Sequence, residues 1–382
     1  MLPSQRSLFD IPHDVAYFNA AGWSPLPRAV QEAGRAGVAR KGQPWTLSAS
    51  FANEQHERAR GAAAALINAA PRDVALISSI GYGVATAAKL LTIPAGTRVL
   101  LLEDDHASPV LEWMVRAEQQ RFMLDIVKRP ADGDWTAAVL QSIARPGAAT
   151  IALASISSIH WSDGGRIDIA RIAPALRKQG AALLVDATHG AGIEAIDVAA
   201  LDPDFLMFPT YKWLLGPYGR AFLYVAKRRQ GGIPLEQTAF ARRSVSAEQP
   251  VYLTDTRYID NATRFDMGER DHFISMEMAA LGMEMIAEWG HAALTERLLM
   301  LTRRIADGLA GSGAILPDER LRAPHVLCVG LPRGDTVQIV KALAAERVYV
   351  APRVGRIRIS PHVYNDEADV DRLLTVFRSV IA

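Results

Sequence analysis

Asp186-Ala-Thr-His189 and Thr210-Tyr211-Lys212-Trp213 are the stretches that decide the fold, because each follows a short apolar run. The acid ends the run Ala181-Ala-Leu-Leu-Val185, and the lysine follows Phe205-Leu-Met-Phe208. Short, uninterrupted apolar runs are typical of strands buried on both faces of a mainly parallel sheet. Parallel strands end at one edge of the sheet, so a carboxylate and an amine are expected to meet at that edge.

Apolar runs of this kind alternate with helical patterns between about residues 50 and 225. The helical pattern from Phe51 to Ala69, for example, stops before Pro71. The alternation predicts an α/β fold with a seven-stranded, mainly parallel sheet flanked by helices. The seven strand candidates are Val74–Ser78, Arg98–Leu102, Met123–Val127, Thr150–Ala154, Ala182–Val185, Asp204–Phe208 and Ala221–Val225.

The pattern changes after about residue 227, where Lys227-Arg-Arg-Gln-Gly-Gly-Ile-Pro234 forms a turn-rich break. Residues 235–272 are predicted to be irregular, and a long helix over 275–311 is predicted to be interrupted or bent near Gly290. Strands at 325–329, 348–350 and 356–360 and helices at 335–346 and 366–381 follow, with Asn365 as the cap of the last helix. We therefore predict a large α/β domain at 15–255 and a smaller α+β domain formed by 256–382, with 1–14 as an N-terminal arm.

Composition excludes several classes of protein. The 382 residues carry a net charge of +1, which gives no reason to expect a nucleic acid or an anionic membrane as partner. No apolar run approaches the roughly 18 residues of a membrane span, and the first residues lack the apolar core of a signal peptide. The single cysteine, Cys328, excludes an intrachain disulfide and a cysteine-based zinc site, so no metal is expected. We predict a cytoplasmic enzyme.

An acid and an amine at one sheet edge suit pyridoxal 5'-phosphate (PLP). Lys212 would carry the cofactor's aldehyde as a Schiff base, the internal aldimine, and Asp186 would keep the pyridine nitrogen protonated. Apolar neighbours such as Trp213 predict a desolvated amine with a lowered pKa. Each residue also has a plainer interpretation, since most lysines lie on the surface and an acid after a strand is often a helix cap. The pairing of the two favours the cofactor.

These segments, with the continuation Gly216-Pro-Tyr-Gly219, resemble the class V aminotransferase family of fold type I PLP enzymes. The family includes cysteine desulfurases, kynureninase and isopenicillin N epimerase, and the resemblance runs from Tyr17 to Leu374. It implies an amino acid or related amine as substrate. It also implies a homodimer in which the segment with Arg264 and Arg270 lies near the partner's site.

The resemblance implies further cofactor-binding residues. His106 matches an aromatic residue that stacks on the ring and can move protons, and His189 matches a polar residue near the lysine or the phenolic oxygen. The phosphate is expected where the loop Ser78-Ser-Ile-Gly-Tyr-Gly83 meets a helix beginning near Val84, although a lone Gly-x-Gly is more often a tight turn. The remaining implied cofactor contacts are Ser79, Gly81, Tyr82, Gly83, Thr210, Tyr211 and Ser158, with His160 beside the last.

The resemblance also implies a substrate site. Arg358 matches a small-domain arginine that grips the substrate α-carboxylate, with Arg353 and Arg356 nearby. Asn19 and Gly22 match the family's substrate-side opening near the N-terminus.

Transamination is the first prediction for the reaction because it needs only this minimal set of residues. C–S lysis by β-elimination and epimerisation remain alternatives, as does a PLP-binding relative without catalysis. Cys328 lies inside an apolar strand, and the segment just ahead of Arg358, Val348-Tyr-Val-Ala-Pro-Arg-Val354, has no cysteine, which argues against a persulfide-forming desulfurase. A nicotinamide site is excluded because Gly81-Tyr-Gly83 continues as Val-Ala-Thr86 without the third glycine of that motif.

Overall fold

The computed structural model describes residues 2–246, 250–332 and 334–381. Its strands alternate with helices through the first part of the chain and form separate small sheets later. The strands are β1 (Ala16–Tyr17), β2 (Val74–Ile77), β3 (Arg98–Leu102), β4 (Met123–Val127), β5 (Ile151–Ser157), β6 (Ala182–Asp186), β7 (Phe205–Pro209), β8 (Ala221–Val225), β9 (Arg242–Val245), β10 (Leu253–Tyr258), β11 (Leu327–Gly330), β12 (Val348–Tyr349), β13 (Ala351–Arg353) and β14 (Arg356–Ile359).

The helices lie between these strands and along the C-terminal part of the chain. They are α1 (Arg28–Lys41), α2 (Ala49–Ala65), α3 (Ile80–Leu90), α4 (Ala107–Gln120), α5 (Trp135–Ile143), α6 (Ile169–Lys178), α7 (Val198–Leu201), α8 (Phe273–Trp289), α9 (His291–Leu309), α10 (Thr336–Ala345) and α11 (Glu367–Ile381).

The large sheet has seven strands in the order β2-β8-β7-β6-β5-β3-β4. Each of the seven predicted runs forms one of them, which confirms the predicted sheet. Only β8 is antiparallel to its neighbours, β7 and β2. The carboxyl ends of the other six strands, and the amino end of β8, therefore lie at the same edge of the sheet. This topology decides which residues can reach the candidate site.

Both faces of the sheet are covered, which explains why its strands are apolar without alternation. In β2, Leu76 packs into one hydrophobic cluster and its neighbours Ala75 and Ile77 into another. Helices α2, α6 and α8 contribute to the first cluster and helices α3 and α4 to the second. The site edge is thus supported by rigid layers on both sides.

A second, three-stranded antiparallel sheet has the order β11-β14-β13. The N-terminal segment is tied to this region because β1 pairs in parallel with β12. The predicted long helix is divided into α8 and α9 at Gly290, whose φ of 76° favours glycine and ends the first helix. Of the two predicted alternatives, the structure confirms an interruption of the helix.

Three expectations are wrong in detail. Helix α3 begins at Ile80 rather than near Val84, because the Ser79 hydroxyl accepts a hydrogen bond from the Tyr82 N–H and caps it. Asp366, not Asn365, caps α11, since its Oδ1 accepts from the Asp369 N–H at 3.0 Å. The segment 235–272 contains the hairpin of β9 and β10 rather than irregular chain only.

Candidate active site

A pocket of about 170 Å³ lies at the carboxyl edge of the large sheet. Residues at the ends of β5, β6 and β7, or in the segments that follow β2, β3, β5, β6 and β7, converge on it, as the parallel topology requires. Its lining residues are Ser78, Ser79, Ile80, His106, Ser108, Ser157, Trp161, Asp186, Thr188, His189, Pro209, Tyr211, Lys212, Tyr218, Gly219 and Arg220.

Lys212 and Asp186 face this pocket together, as the sequence predicted. The Lys212 side chain is buried, and burial lowers the pKa of its amine from 10.5 to about 7, helped by the positive charge of Arg358. The nearby Asp186 carboxylate raises the pKa of the amine, but by less than burial and Arg358 lower it. Asp186 ends β6 and is held by the Thr188 N–H, which donates to its Oδ1 at 2.9 Å. The pocket therefore contains an amine that is substantially uncharged at neutral pH.

His189 presents one defined nitrogen to the pocket. The Trp213 indole Nε1–H donates to His189 Nδ1 at 3.0 Å, and an indole nitrogen can only donate. Burial and the charge of Lys212 hold the pKa of His189 well below 6.5, so the ring is neutral. Its proton is consequently on Nε2, which can donate a hydrogen bond to a ligand oxygen.

Two further buried imidazoles surround Trp213. His325 Nε2 donates to the His189 carbonyl oxygen at 2.7 Å, and its ring lies edge-on to the indole with centroids 4.2 Å apart. His362 Nε2 donates to the Trp213 carbonyl oxygen at 3.1 Å. Burial lowers the pKa of His325 to about 3 and that of His362 to about 4. This neutral network fixes the backbone and the side chains beside Lys212.

His106 lies at another wall of the pocket, where it caps α4 through Nδ1. Its ring meets Trp161 edge-on, with centroids 5.8 Å apart and planes at 89°. Burial and Lys212 lower its pKa, which favours the neutral ring. The adjacent Ser157 hydroxyl donates to Asp105 at 2.7 Å, which anchors the segment before His106.

The expected phosphate loop is only partly at the pocket surface. Ser78, Ser79 and Ile80 line it, whereas Gly81, Tyr82 and Gly83 lie in the first turn of α3. A Cβ on Gly83 would lie 2.9 Å from Met207 Sδ, so this glycine serves packing against β7.

Thr210 and Tyr211 differ in position, although both were expected to contact the phosphate. Thr210 is fully buried, and its hydroxyl donates to the Pro217 carbonyl oxygen at 2.6 Å. The structure does not bring it into the pocket. Tyr211 lines the pocket and stacks on Tyr218 with ring centroids 3.8 Å apart. Burial raises the pKa of Tyr211 to about 12, so its hydroxyl stays protonated.

The expected substrate residues lie behind the pocket wall. Arg358 is 1% exposed, and its Nη1 donates to the Trp161 carbonyl oxygen at 2.9 Å while Nε has no partner. Asn19 forms a bridge with Ser360 next to β14, and its Oδ1 is buried without a partner. A Cβ on Gly22 would lie 2.8 Å from that oxygen, so this glycine permits the close approach of Asn19.

Ser158 and His160 are not brought to the pocket surface; Ser157 and Trp161 line it instead. His160 stacks on Trp135 with ring centroids 4.6 Å apart and donates from Nε2 to the Glu103 carbonyl oxygen, so it is committed to the core.

Arg264 and Arg270 make contacts within their own chain. Arg264 Nε donates to the Ile259 carbonyl oxygen at 2.7 Å, and Arg270 pairs with Asp266. The homodimer stays a prediction.

The structure adds pocket residues that sequence reasoning missed, namely Thr188, Ser157, Trp161, Tyr218 and Arg220. Thr188 Oγ1 is buried without a hydrogen-bond partner, which leaves it available to a ligand. Arg220 directly precedes β8, so recognising it required knowing that β8 is antiparallel and brings its amino end to the pocket.

Two other kinds of site are not found in the part of the chain that the structure describes. Its His, Cys, Asp and Glu side chains form no group of three or more that could hold a metal ion. None of its helices combines the length and the apolar character that crossing a membrane requires.

Known proteins resemble this chain along nearly its whole length. The uncharacterized aminotransferase YcbU of Bacillus subtilis (strain 168) is 26% identical over 358 residues, which cover 91% of this chain and 88% of that protein. The apo structure of a cysteine desulfurase from Thermococcus onnurineus NA1 superimposes with a TM-score of 0.84 at 20% identity, covering 100% of this chain and 99% of that one.

A lysine-to-alanine mutant of C-DES, with glycine covalently linked to its PLP cofactor, superimposes with a TM-score of 0.82 at 21% identity, covering 98% of this chain and 99% of that one. These structures confirm the predicted fold. Residues 16–373 match the family described as "Aminotransferase class-V". The chain is therefore a member of the aminotransferase class-V family, as the sequence resemblance predicted.

Proposed function

We propose that this chain is a PLP-dependent enzyme that acts on an amino acid or related amine through Lys212, with transamination as its reaction. The observation that carries the proposal is the buried amine of Lys212, whose pKa is lowered to about 7, facing the same pocket as Asp186. An uncharged amine is the form that attacks an aldehyde. Surface lysines at neutral pH are almost entirely protonated and lack this property.

The residues present fit the cofactor. PLP, when bound, supplies an aldehyde for the lysine and a ring that accepts electrons from the substrate's Cα. Asp186 offers a carboxylate for the ring nitrogen, and His189 offers its Nε2–H to a ring oxygen. Thr188 Oγ1, buried without a partner, has free hydrogen-bonding capacity in the same pocket.

The chain's own groups can also move a proton and hold a substrate. As a free amine of near-neutral pKa, Lys212 would suit proton transfer at a substrate Cα. His106 lies on the same pocket with a lowered pKa and would bound the ring on one face. Arg358 has no carboxylate partner among the described residues, so its guanidinium is free to pair with a substrate carboxylate.

Persulfide formation on this chain does not fit its one cysteine. Cys328 lies in β11, is 3% exposed, and burial raises the pKa of its thiol to about 12. A thiol of this kind is rarely a thiolate, and Cys328 does not line the pocket that contains Lys212. C–S lysis and epimerisation need no cysteine, so they remain the alternatives to transamination.

A borohydride experiment tests the cofactor and its link. We expect the purified protein to show a visible absorption band with PLP that borohydride bleaches, and mass spectrometry to locate the label on Lys212. Lys212→Ala should lose the covalent label, whereas Lys178→Ala, which removes an exposed lysine on α6, should retain it. A label that persists in the first variant would refute the assignment.

A substrate screen then separates the reactions. Amino acids should convert the bound cofactor to its amine form and release a keto acid if transamination is correct. Release of ammonia or sulfide with the aldehyde regenerated would instead support lyase chemistry, and loss of optical rotation alone would support epimerisation. A protein that binds the cofactor but converts no substrate would be a non-catalytic relative.

A further inference from the structure

Most of the buried arginines in the described part of the chain have a carboxylate partner. Seven arginines of the described residues are at most 6% exposed, and five of them lie within 4 Å of an Asp or Glu oxygen. The two exceptions are Arg220 and Arg358. Both belong to the region of the pocket, which indicates that their counter-ions are ligands rather than parts of the chain.

Arg220 is held firmly but is not neutralised. Its Nε donates to Ser275 Oγ at 2.6 Å, and Nη1 approaches the Met267 sulfur at 3.7 Å. Burial alone lowers the pKa of its guanidinium to about 10, so the group is still charged at neutral pH. A buried charge without a partner is costly, so an anion bound beside Arg220 would offset that cost.

The neighbours of Arg220 in the pocket suit an anion. Ser78 and Ser79 line the same pocket, and Ser79 caps the eleven-residue helix α3. The N–H groups of Ile80 and Gly81 have no acceptor in the described structure, as expected for the first turn of a helix. A Cβ built on Gly81 would meet only Ser79 Oγ, at 3.9 Å, so open space lies in front of this turn. Arg220 and the start of this turn, Ser79 and Ile80, thus line one cavity.

We propose that Arg220, together with the first turn of α3, binds the phosphate group of the cofactor. The inference rests on the proposed function, because it is the PLP phosphate that would fill the site. A phosphate monoester offers several oxygens, which a guanidinium fork and helix N–H groups can bind at the same time. The two buried arginines without a carboxylate partner would then have different ligands: Arg220 would bind the phosphate, and Arg358 the carboxylate of the substrate.

The test compares PLP with pyridoxal, which has the same ring and aldehyde but no phosphate. Arg220→Gln should weaken PLP binding by roughly 10- to 100-fold and leave the affinity for pyridoxal within about 2-fold. Arg220→Lys, which keeps the charge but not the fork, should recover part of the loss. Arg322→Gln is the matched control, because Arg322 is a buried arginine outside the pocket that also contacts a hydroxyl, Thr302 Oγ1 at 3.1 Å.

Dissociation constants from equilibrium dialysis give the comparison, with circular dichroism to check folding. The ³¹P resonance of bound PLP gives a second measurement. It should be independent of pH between about 5.5 and 8 in the natural protein, because the cationic site keeps the phosphate dianionic, and should titrate in Arg220→Gln.

Three outcomes would overturn the inference about Arg220. In Arg220→Gln, the affinities for PLP and for pyridoxal could fall by the same factor, or neither affinity could change. Alternatively, only the KM of the substrate could rise, which would make Arg220 a substrate-binding residue. If Arg220→Gln does not fold, the affinity ratio in Arg220→Lys and its ³¹P titration decide between these outcomes. A natural protein that binds no PLP would overturn the proposed function itself, so the two failures are distinguishable.

Discussion

The buried amine of Lys212 should make the protein less stable when no aldehyde is bound to it. The amine has a pKa of 10.5 in the unfolded chain and about 7 in the folded protein. Folding must therefore release a proton, or bury a charge, at any pH below 10.5. Lys212→Met keeps the length of the side chain and removes this requirement, so the variant should be more stable than the natural protein.

The size of the effect follows from the two pKa values. For a basic group with a depressed pKa, the cost is complete below the folded pKa and disappears as the pH rises through the unfolded pKa. At 1.36 kcal/mol per pKa unit, the cost for Lys212 is about 5 kcal/mol at pH 5, about 4 kcal/mol at pH 7, about 2 kcal/mol at pH 9 and near zero at pH 11. The stability gap between variant and natural protein should follow this curve.

Urea denaturation after removal of carbonyl ligands with hydroxylamine measures the gap at each pH. Lys178→Met is the control, since its exposed amine should contribute no more than a few tenths of a kcal/mol. If Lys212→Met gives no stabilisation at pH 7, or one that does not shrink between pH 7 and pH 9, then the amine is not desolvated as described. The reasoning behind the proposed nucleophile would then be refuted.

Two further substitutions, Trp213→Phe and Gly282→Ala, test the surroundings of the site, and Gly61→Ala is the control for the second. Trp213→Phe removes the N–H that donates to His189, so the neutral histidine should become a mixture of its two tautomers instead of carrying its proton only on Nε2. The ¹⁵N chemical shifts of labelled histidine report the tautomer. An unchanged tautomer would show that the indole does not select it. Gly282→Ala would place a Cβ 2.4 Å from the Leu214 carbonyl oxygen and should lower the free energy of unfolding by roughly 1–3 kcal/mol. Gly61→Ala, whose Cβ would meet nothing within 4 Å, should raise the free energy of unfolding by up to about 1 kcal/mol. If urea denaturation gave the same change for Gly282→Ala and Gly61→Ala, then α8 can shift to make room for the new methyl group.

The sheet was predictable because burial on both faces leaves a strong local signal. The bounds predicted for β3, β4 and β8 agree with the structure, and each of these strands has a charged residue directly next to at least one of its ends. The break at Gly290 was equally local, since a glycine between two helical patterns is a common stop. Hairpin β9–β10 was missed because none of the residues in its strands is buried and most of them carry polar side chains, which resembles a loop.

The site was predictable only where its residues follow strands. Lys212, Asp186 and His106 come after apolar runs, and parallel topology brings them together. Arg220 could not be recognised in this way, because a residue that precedes a strand reaches this edge only if that strand runs antiparallel. The pairing of Trp213 with His189 is a tertiary contact between side chains from two strand ends, and nothing in either segment alone indicates it.

The hydrogen bonds around Trp213 have a mechanical consequence. His325 and His362 adjoin strands of the three-stranded sheet, yet they hold carbonyl oxygens of His189 and Trp213 beside the large sheet. A shift of the smaller sheet would therefore pull on the backbone next to Lys212 as well as on Arg358. A movement of the smaller sheet when a substrate binds near Arg358 would therefore also change the position of the Lys212 amine. The two imidazole side chains couple these two parts of the pocket region.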